Sequence, residues 1–131
     1  IREEKGYTYG IGTMVAELHK TGYFLIATEV GREVKNATIK EIQYELKRLQ
    51  TEKVQQDELR LVKNYMLGQL LKSADGPYSM TDLFLSAEMH EKDLEFYNEA
   101  LLSIQNITAE RIQELSVKYL NWQDMTIVSA G

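Results

Sequence analysis

The hydrophobic period of this chain changes once, and early. Up to Val30 the apolar and aromatic residues favour alternate positions; from Glu33 onward they recur at helical spacing, with Gly31 and Arg32 at the break. A period of two lines one face of a strand, and a period of 3.6 lines one face of a helix. The chain therefore has to fold as a short β segment followed by a long helical one. Tyr7, Tyr9, Ile11, Thr13 and Val15 share one face of a first strand, Tyr7 to Leu18. His19 to Gly22 reads as a turn and Tyr23 to Val30 as a second strand, which together predict a hairpin. Ahead of it, Ile1 to Lys5 reads as the last turn of a helix. Gly6 stands just past the cap, where the left-handed backbone favours glycine.

In the helical part, Ile39, Ile42, Leu46 and Leu49 line one face of a first helix, while Lys40, Glu41, Lys47 and Arg48 lie largely off it. A second helix is expected from Gln55 to Ser73, burying Leu59, Val62, Met66 and Leu70. Asp75-Gly76-Pro77 breaks it, with Pro77 placed to open a third helix, Tyr78 to Glu91. A fourth is expected from Leu94 to Ile104. Thr108 has the chemistry of an N-cap for a fifth, Ala109 to Leu120. Met125 to Ala130 reads as a last short strand, paired beside the hairpin. The order strand, strand, five helices, strand implies a two-layer α+β fold, an antiparallel or mixed sheet with helices packed on one face. The 131 residues fit one domain, 1–131. Three strands are few for five helices, and the chain opens on Ile1-Arg2-Glu3-Glu4-Lys5 rather than Met. Further strands of the same unit are expected upstream, in an N-terminally truncated domain.

Several function classes drop out. The net charge is −5 and no run of Lys or Arg occurs, so a nucleic-acid backbone is a poor partner. The absence of Cys excludes disulfides and thiolate metal sites. No apolar run reaches the ~18 residues of a membrane span, and no signal peptide is visible. His19 and His90 are the only histidines, and neither stands in H-x-x-E-H or H-x-x-E-H reversed, so both read as surface residues. Ser79 and Ser86 lie in no G-x-S-x-G. Gly10-Ile11-Gly12 begins like G-x-G-x-x-G, but Val15 fills the third glycine position. These glycines are expected to mark a bulge or a close backbone approach. Glu3-Glu4, Glu33 and Asp57-Glu58 read as solvated helix-end charges, and Tyr65, Tyr78, Tyr97 and Tyr119 as packing.

One cluster carries chemistry. Arg2-Glu3-Glu4-Lys5-Gly6-Tyr7-Thr8-Tyr9-Gly10 joins a helix end, a glycine turn and an opening strand. Across that turn Arg2 offers a planar fork of N–H donors and Tyr9 a phenol hydroxyl. The pair suits peptide carbonyls or a developing oxyanion.

That stretch resembles the L-R-E-E-x-G-x-x-Y segment of the insulinase/pitrilysin-type zinc peptidases, the inverzincins, which include enzymes like mitochondrial processing peptidase. Gly22-Tyr23-Phe24, the helix carrying Ile39, Ile42, Leu46 and Leu49, and Asp57-Glu58-Leu59 before Lys63 are similar to the family's following elements. So are Ile107 to Glu110, Lys118 to Leu120, Thr126 to Val128 and the final glycine. The resemblance implies a LuxS/MPP-like metallopeptidase half-domain of the kind that lacks the zinc motif. That half carries an Arg and a Tyr seven positions apart, the separation of Arg2 and Tyr9. It implies Arg2 and Tyr9 as substrate-binding residues, with Tyr9 assisting catalysis, and Gly6 as the structural turn between them. No metal or cofactor belongs to this chain. Zinc is expected in an H-x-x-E-H partner domain, on the same chain or a separate subunit, and the substrate is a peptide. The implied function is the substrate-binding half of a bacterial processing-peptidase-like zinc endopeptidase. The alternative is a non-catalytic scaffold, assembly subunit or peptide-binding module built on the same fold. Bacterial cytoplasm and cell envelope fit equally.

Overall fold

The computed structural model describes residues 1–18, 20–89, 91–93 and 95–130. The expected surface positions of His19 and His90, the fourth helix's start at Leu94 and the closing Gly131 lie outside the described residues. The chain is α+β, with five α-helices and a two-stranded antiparallel sheet. It divides into two compact units, Ile1–Glu52 with Glu114–Gly131, and Lys53–Gln113. Among the described residues, no helix is long and apolar enough to cross a membrane.

In the first unit, strands β1 (Ile11–Leu18) and β2 (Thr21–Thr28) pair antiparallel, from Ile11 opposite Thr28 to Leu18 opposite Thr21. The hairpin stands as expected, but the bounds of its second strand do not. Two residues connect the strands instead of four, so β2 begins and ends two positions earlier than its aromatic run predicted. The register is unbroken, which leaves no bulge at Gly12; Gly10 precedes the ladder, and a Cβ on either would meet nothing within 4 Å. The close approach is at Gly22, where a Cβ would lie 2.9 Å from the Ala16 carbonyl oxygen. Apolar residues occur on both faces of the ribbon. Ile11, Val15 and Phe24 share one face, Met14, Leu18, Tyr23 and Leu25 the other, and all seven are exposed.

Helix α1 (Lys35–Thr51) follows a single 3-10 turn, Arg32–Val34. Its stripe is the predicted one, with Leu46 buried and Ile39, Ile42 and Leu49 half-buried. Burying one such leucine contributes about 1.5–3 kcal/mol. Thr38 is fully buried, and its hydroxyl donates to the Val34 carbonyl at 3.0 Å, so its polar atom is not stranded. At the far end of α1, the Gln50 side-chain amide donates to the Leu120 carbonyl at 2.8 Å. Met125–Ala130 does not form the expected third strand; it has no ladder partner, and Ile127 and Val128 are exposed. Branched residues favour a pleated surface only when a neighbouring strand supplies one.

The second unit holds α2 (Gln56–Ser73), α3 (Pro77–Met89), α4 (Glu95–Asn106) and the beginning of α5 (Ala109–Tyr119). The buried line of α2 is rotated from the predicted one. Leu59 is buried and Leu67 and Leu70 are half-buried, whereas Val62 and Met66 are each 46% exposed. Lys63 accounts for the rotation: its stem lies along the half-buried face while its ammonium donates to the Gln105 carbonyl at 2.9 Å. Helix α3 opens at Pro77 as expected but ends two residues early. Glu91 takes a left-handed φ of 55°, and the Lys92 and Glu91 amides close back on the Ala87 and Glu88 carbonyls at 2.9 and 3.1 Å. That is the Schellman pattern of a helix end. Of the four tyrosines expected to pack, only Tyr97 does. Its hydroxyl donates to the Leu83 carbonyl at 3.1 Å and its ring meets Phe96 edge-on; Tyr65, Tyr78 and Tyr119 are exposed.

The cap at Thr108 is present, its hydroxyl accepting the Arg111 N–H at 3.2 Å. Next to it, Glu110 meets the Lys53 ammonium at 2.8 Å. The hydrogen bond from Lys53, with those from its own backbone N–H and from Thr108, holds the Glu110 carboxyl down at about 2. A lowered carboxylate pKa contributes stability that is complete above the unfolded value of 4.5 and is lost as pH falls toward about 2. A carbon-detected NMR titration should therefore give Glu110 a midpoint near 2, and Lys53→Met should move it up toward 4.5. A midpoint unmoved by Lys53→Met would contradict the assignment. Both groups are exposed, so high salt should shrink the shift.

Candidate functional site

The sequence places its chemistry in the first ten residues, and the local backbone explains their arrangement. Residues 3–5 form one turn, closed by the Gly6 N–H donating to the Arg2 carbonyl at 2.9 Å. The Tyr7 N–H reaches the Ile1 carbonyl at 3.3 Å. Gly6 has φ of 64°, the left-handed conformation that reverses the chain after a helical turn. A side chain there would meet no atom within 4 Å, so the demand for glycine is conformational rather than steric. Gly6→Ala is expected to cost about 1–2 kcal/mol, the left-handed penalty of an L-residue. Gly6→Asn should cost less, because Asn tolerates that region. Denaturant unfolding of the three proteins checks the order; equal stabilities would remove the argument.

The turn and the end of the hairpin enclose an open cleft of about 610 Å³, whose walls include Arg2, Glu3, Gly6, Tyr9 and Glu29. Arg2 and Tyr9, singled out from the sequence, therefore face one space. The Arg2 side chain is 62% exposed and its Nε lies 3.4 Å from Glu3 Oε1. An ion pair this exposed is worth about 0–1 kcal/mol, so it leaves the guanidinium available to another acceptor. Tyr9 is 100% exposed, and its hydroxyl has no hydrogen-bond partner among the described residues. Lys5 turns away to Glu41 on α1, at 3.4 Å, which fastens the turn to the first helix.

Sequence reasoning missed two hydroxyls. Thr8 Oγ1 accepts the Gly10 N–H at 3.1 Å and donates to the Gly10 carbonyl at 2.8 Å. From the end of β2, the Thr28 hydroxyl reaches Thr8 Oγ1 at 3.0 Å and the Gly10 carbonyl at 2.9 Å. The signal that could have found them is the register, since a two-residue connection puts Thr28 opposite Ile11, next to Gly10.

This chain is poor in Cys and His, residue types that hold zinc. It has no Cys and two histidines far apart in sequence. Among the described residues no group of three or more His, Cys, Asp or Glu could hold a metal ion. In the cleft Arg2 and Tyr9 offer hydrogen-bond donors, beside the carboxylates of Glu3 and Glu29.

A comparison with curated proteins finds no match. A scan of protein families matches residues 1–66 to the family described as Peptidase M16 inactive domain. The match spans the Arg2–Tyr9 segment, the hairpin, α1 and part of α2; the similarities noted from Ile107 onward lie beyond it. An inactive domain of this family implies a catalytic M16 domain as its counterpart. On half of its length, including the whole candidate site, this chain belongs to the insulinase-type M16 peptidases as one of their inactive, non-zinc domains.

Proposed function

We propose that this domain is the substrate side of a processing-peptidase-like zinc endopeptidase, holding an extended peptide while a zinc-bearing counterpart cleaves it. The observation that carries this reading is the shared cleft of Arg2 and Tyr9, two exposed donors on one wall of a domain whose family pairs with a catalytic one. The counterpart would hold the metal in H-x-x-E-H, where it supplies Lewis-acid chemistry. This chain's own residues bind and orient. The Arg2 guanidinium grips backbone carbonyls of the substrate through its fork of N–H donors. Tyr9 O–H donates to the scissile carbonyl oxygen as negative charge develops there. The peptide itself lies extended along a sheet edge of the zinc half, a mode in which main-chain hydrogen bonds give affinity.

The test is hydrolysis of a fluorogenic peptide by this chain alone and then with the zinc-bearing half added, with metal content measured in each sample. The expected result is no metal and no turnover alone, and turnover on mixing. A folded, zinc-loaded pair that cleaves nothing would replace this reading with a scaffold or assembly role.

A further inference from the structure

The segment that carries Tyr9 has little of its own to hold it. The β1–β2 ladder begins only at Ile11 opposite Thr28, so residues 8–10 lie beyond the last ladder pair. Gly10 adjoins Tyr9 on that side and lends the segment no side chain to pack. Tyr9 itself is fully exposed and unbonded among the described residues. What fixes its backbone is the pair of half-buried threonines on either side of it in space.

The hydrogen-bond inventory of these groups closes. Thr8 has one proton and gives it to the Gly10 carbonyl; its oxygen accepts from the Gly10 N–H and from Thr28. Thr28 has one proton, shared between Thr8 Oγ1 and the Gly10 carbonyl. Both backbone polar groups of Gly10 are thereby satisfied by hydroxyls, in place of the strand partner they lack. Thr8 ties residue 8 to residue 10 and makes a tight loop with Tyr9 at its tip. Thr28 ties that loop to the end of β2, immediately before Glu29 on the wall of the cleft.

We infer that Thr28, acting through Thr8 and Gly10, is a positioning residue for Tyr9. The inference rests on the substrate-side reading above. A donor aimed at a developing oxyanion works only when it is held at hydrogen-bond distance of where the charge appears. Loosening the loop should therefore be felt in the chemical step and hardly in ground-state binding, which Arg2 governs.

The experiment is a set of steady-state measurements on the two-domain peptidase with a fluorogenic peptide, using Thr28→Val, Thr28→Ser, Tyr9→Phe and the Thr28→Val/Tyr9→Phe double variant. Thr28→Val keeps the shape and removes the proton donor. It should lower kcat about 3–10-fold, the worth of one neutral hydrogen bond, with KM nearly unchanged. Thr28→Ser should restore kcat. In the Tyr9→Phe background, Thr28→Val should add almost nothing, because there is no longer a hydroxyl to aim. A full further loss in that background would show a general structural effect and overturn the inference. So would Thr28→Val with wild-type kcat while Tyr9→Phe is impaired. A Tyr9→Phe enzyme with wild-type kinetics would instead remove the substrate-side reading, and the inference with it. Should Thr28→Val not fold, Thr8→Val opens the same loop from the other side and is held to the same outcomes.

Discussion

Replacing Tyr9 by Phe in the two-domain peptidase is expected to lower kcat/KM by about 10²–10³-fold, the usual cost of one oxyanion donor. The ring survives the substitution and only the hydroxyl goes. Tyr9 is fully exposed and bonded to nothing among the described residues, so its hydroxyl contributes no packing or internal hydrogen bond to the fold. Stability should thus be unchanged, and the loss should lie in kcat, because the interaction exists only as charge develops. Parallel measurement of the melting temperature and of kcat and KM separates the possibilities. A Tyr9→Phe enzyme with normal kinetics excludes the assisting role, and a loss confined to KM makes Tyr9 a ground-state contact.

Arg2→Ala should cost roughly 1.5–3 kcal/mol of binding, as for hydrogen bonds from a charged group. That is about 10- to 150-fold in kcat/KM. If Arg2 holds substrate carbonyls equally in the ground and transition states, the effect falls on KM. The fold should tolerate the change. The ion pair of the Arg2 side chain with Glu3 is exposed on both sides, and the turn is closed by the Arg2 backbone carbonyl, which alanine retains. Arg2→Lys is the sharper variant: it keeps the charge and loses the planar fork, so it should recover only part of the loss. A fall confined to kcat would contradict the binding role, and full recovery with Lys would reduce Arg2 to a point charge.

The parts of this fold legible in the sequence are those set by a few adjacent residues. Gly6 announced a left-handed turn because a helical turn cannot otherwise reverse into a strand there, and its φ is positive. The α1 stripe was legible because Ile39, Ile42, Leu46 and Leu49 keep one period without interruption. A short motif singled out Arg2 and Tyr9, and both line one cleft. What failed depended on partners distant in the chain. The register of the hairpin turned on whether Thr21 and Gly22 belong to the turn or to β2, which composition does not decide. That error concealed Thr28, since a hydroxyl's partner across a sheet is known only once the register is known. The face of α2 was misread because hydropathy gave Val62 and Met66 precedence over Lys63, whose carbonyl partner is on another helix. Met125–Ala130 has strand-forming residues but no ladder partner among the described residues.

Every residue lining the cleft falls between Arg2 and Gly31. Its walls are thus built by one local turn and one hairpin, and the turn is tied to α1 by the Lys5–Glu41 ion pair. Hairpins form in about 1–10 μs, far ahead of structures that need long loops to close. During synthesis this region leaves the ribosome before α1 does, so Arg2 and Tyr9 can be brought to one side before the helices that follow them are made. Slow steps in folding should then spare the geometry of the cleft and govern only how the later helices form.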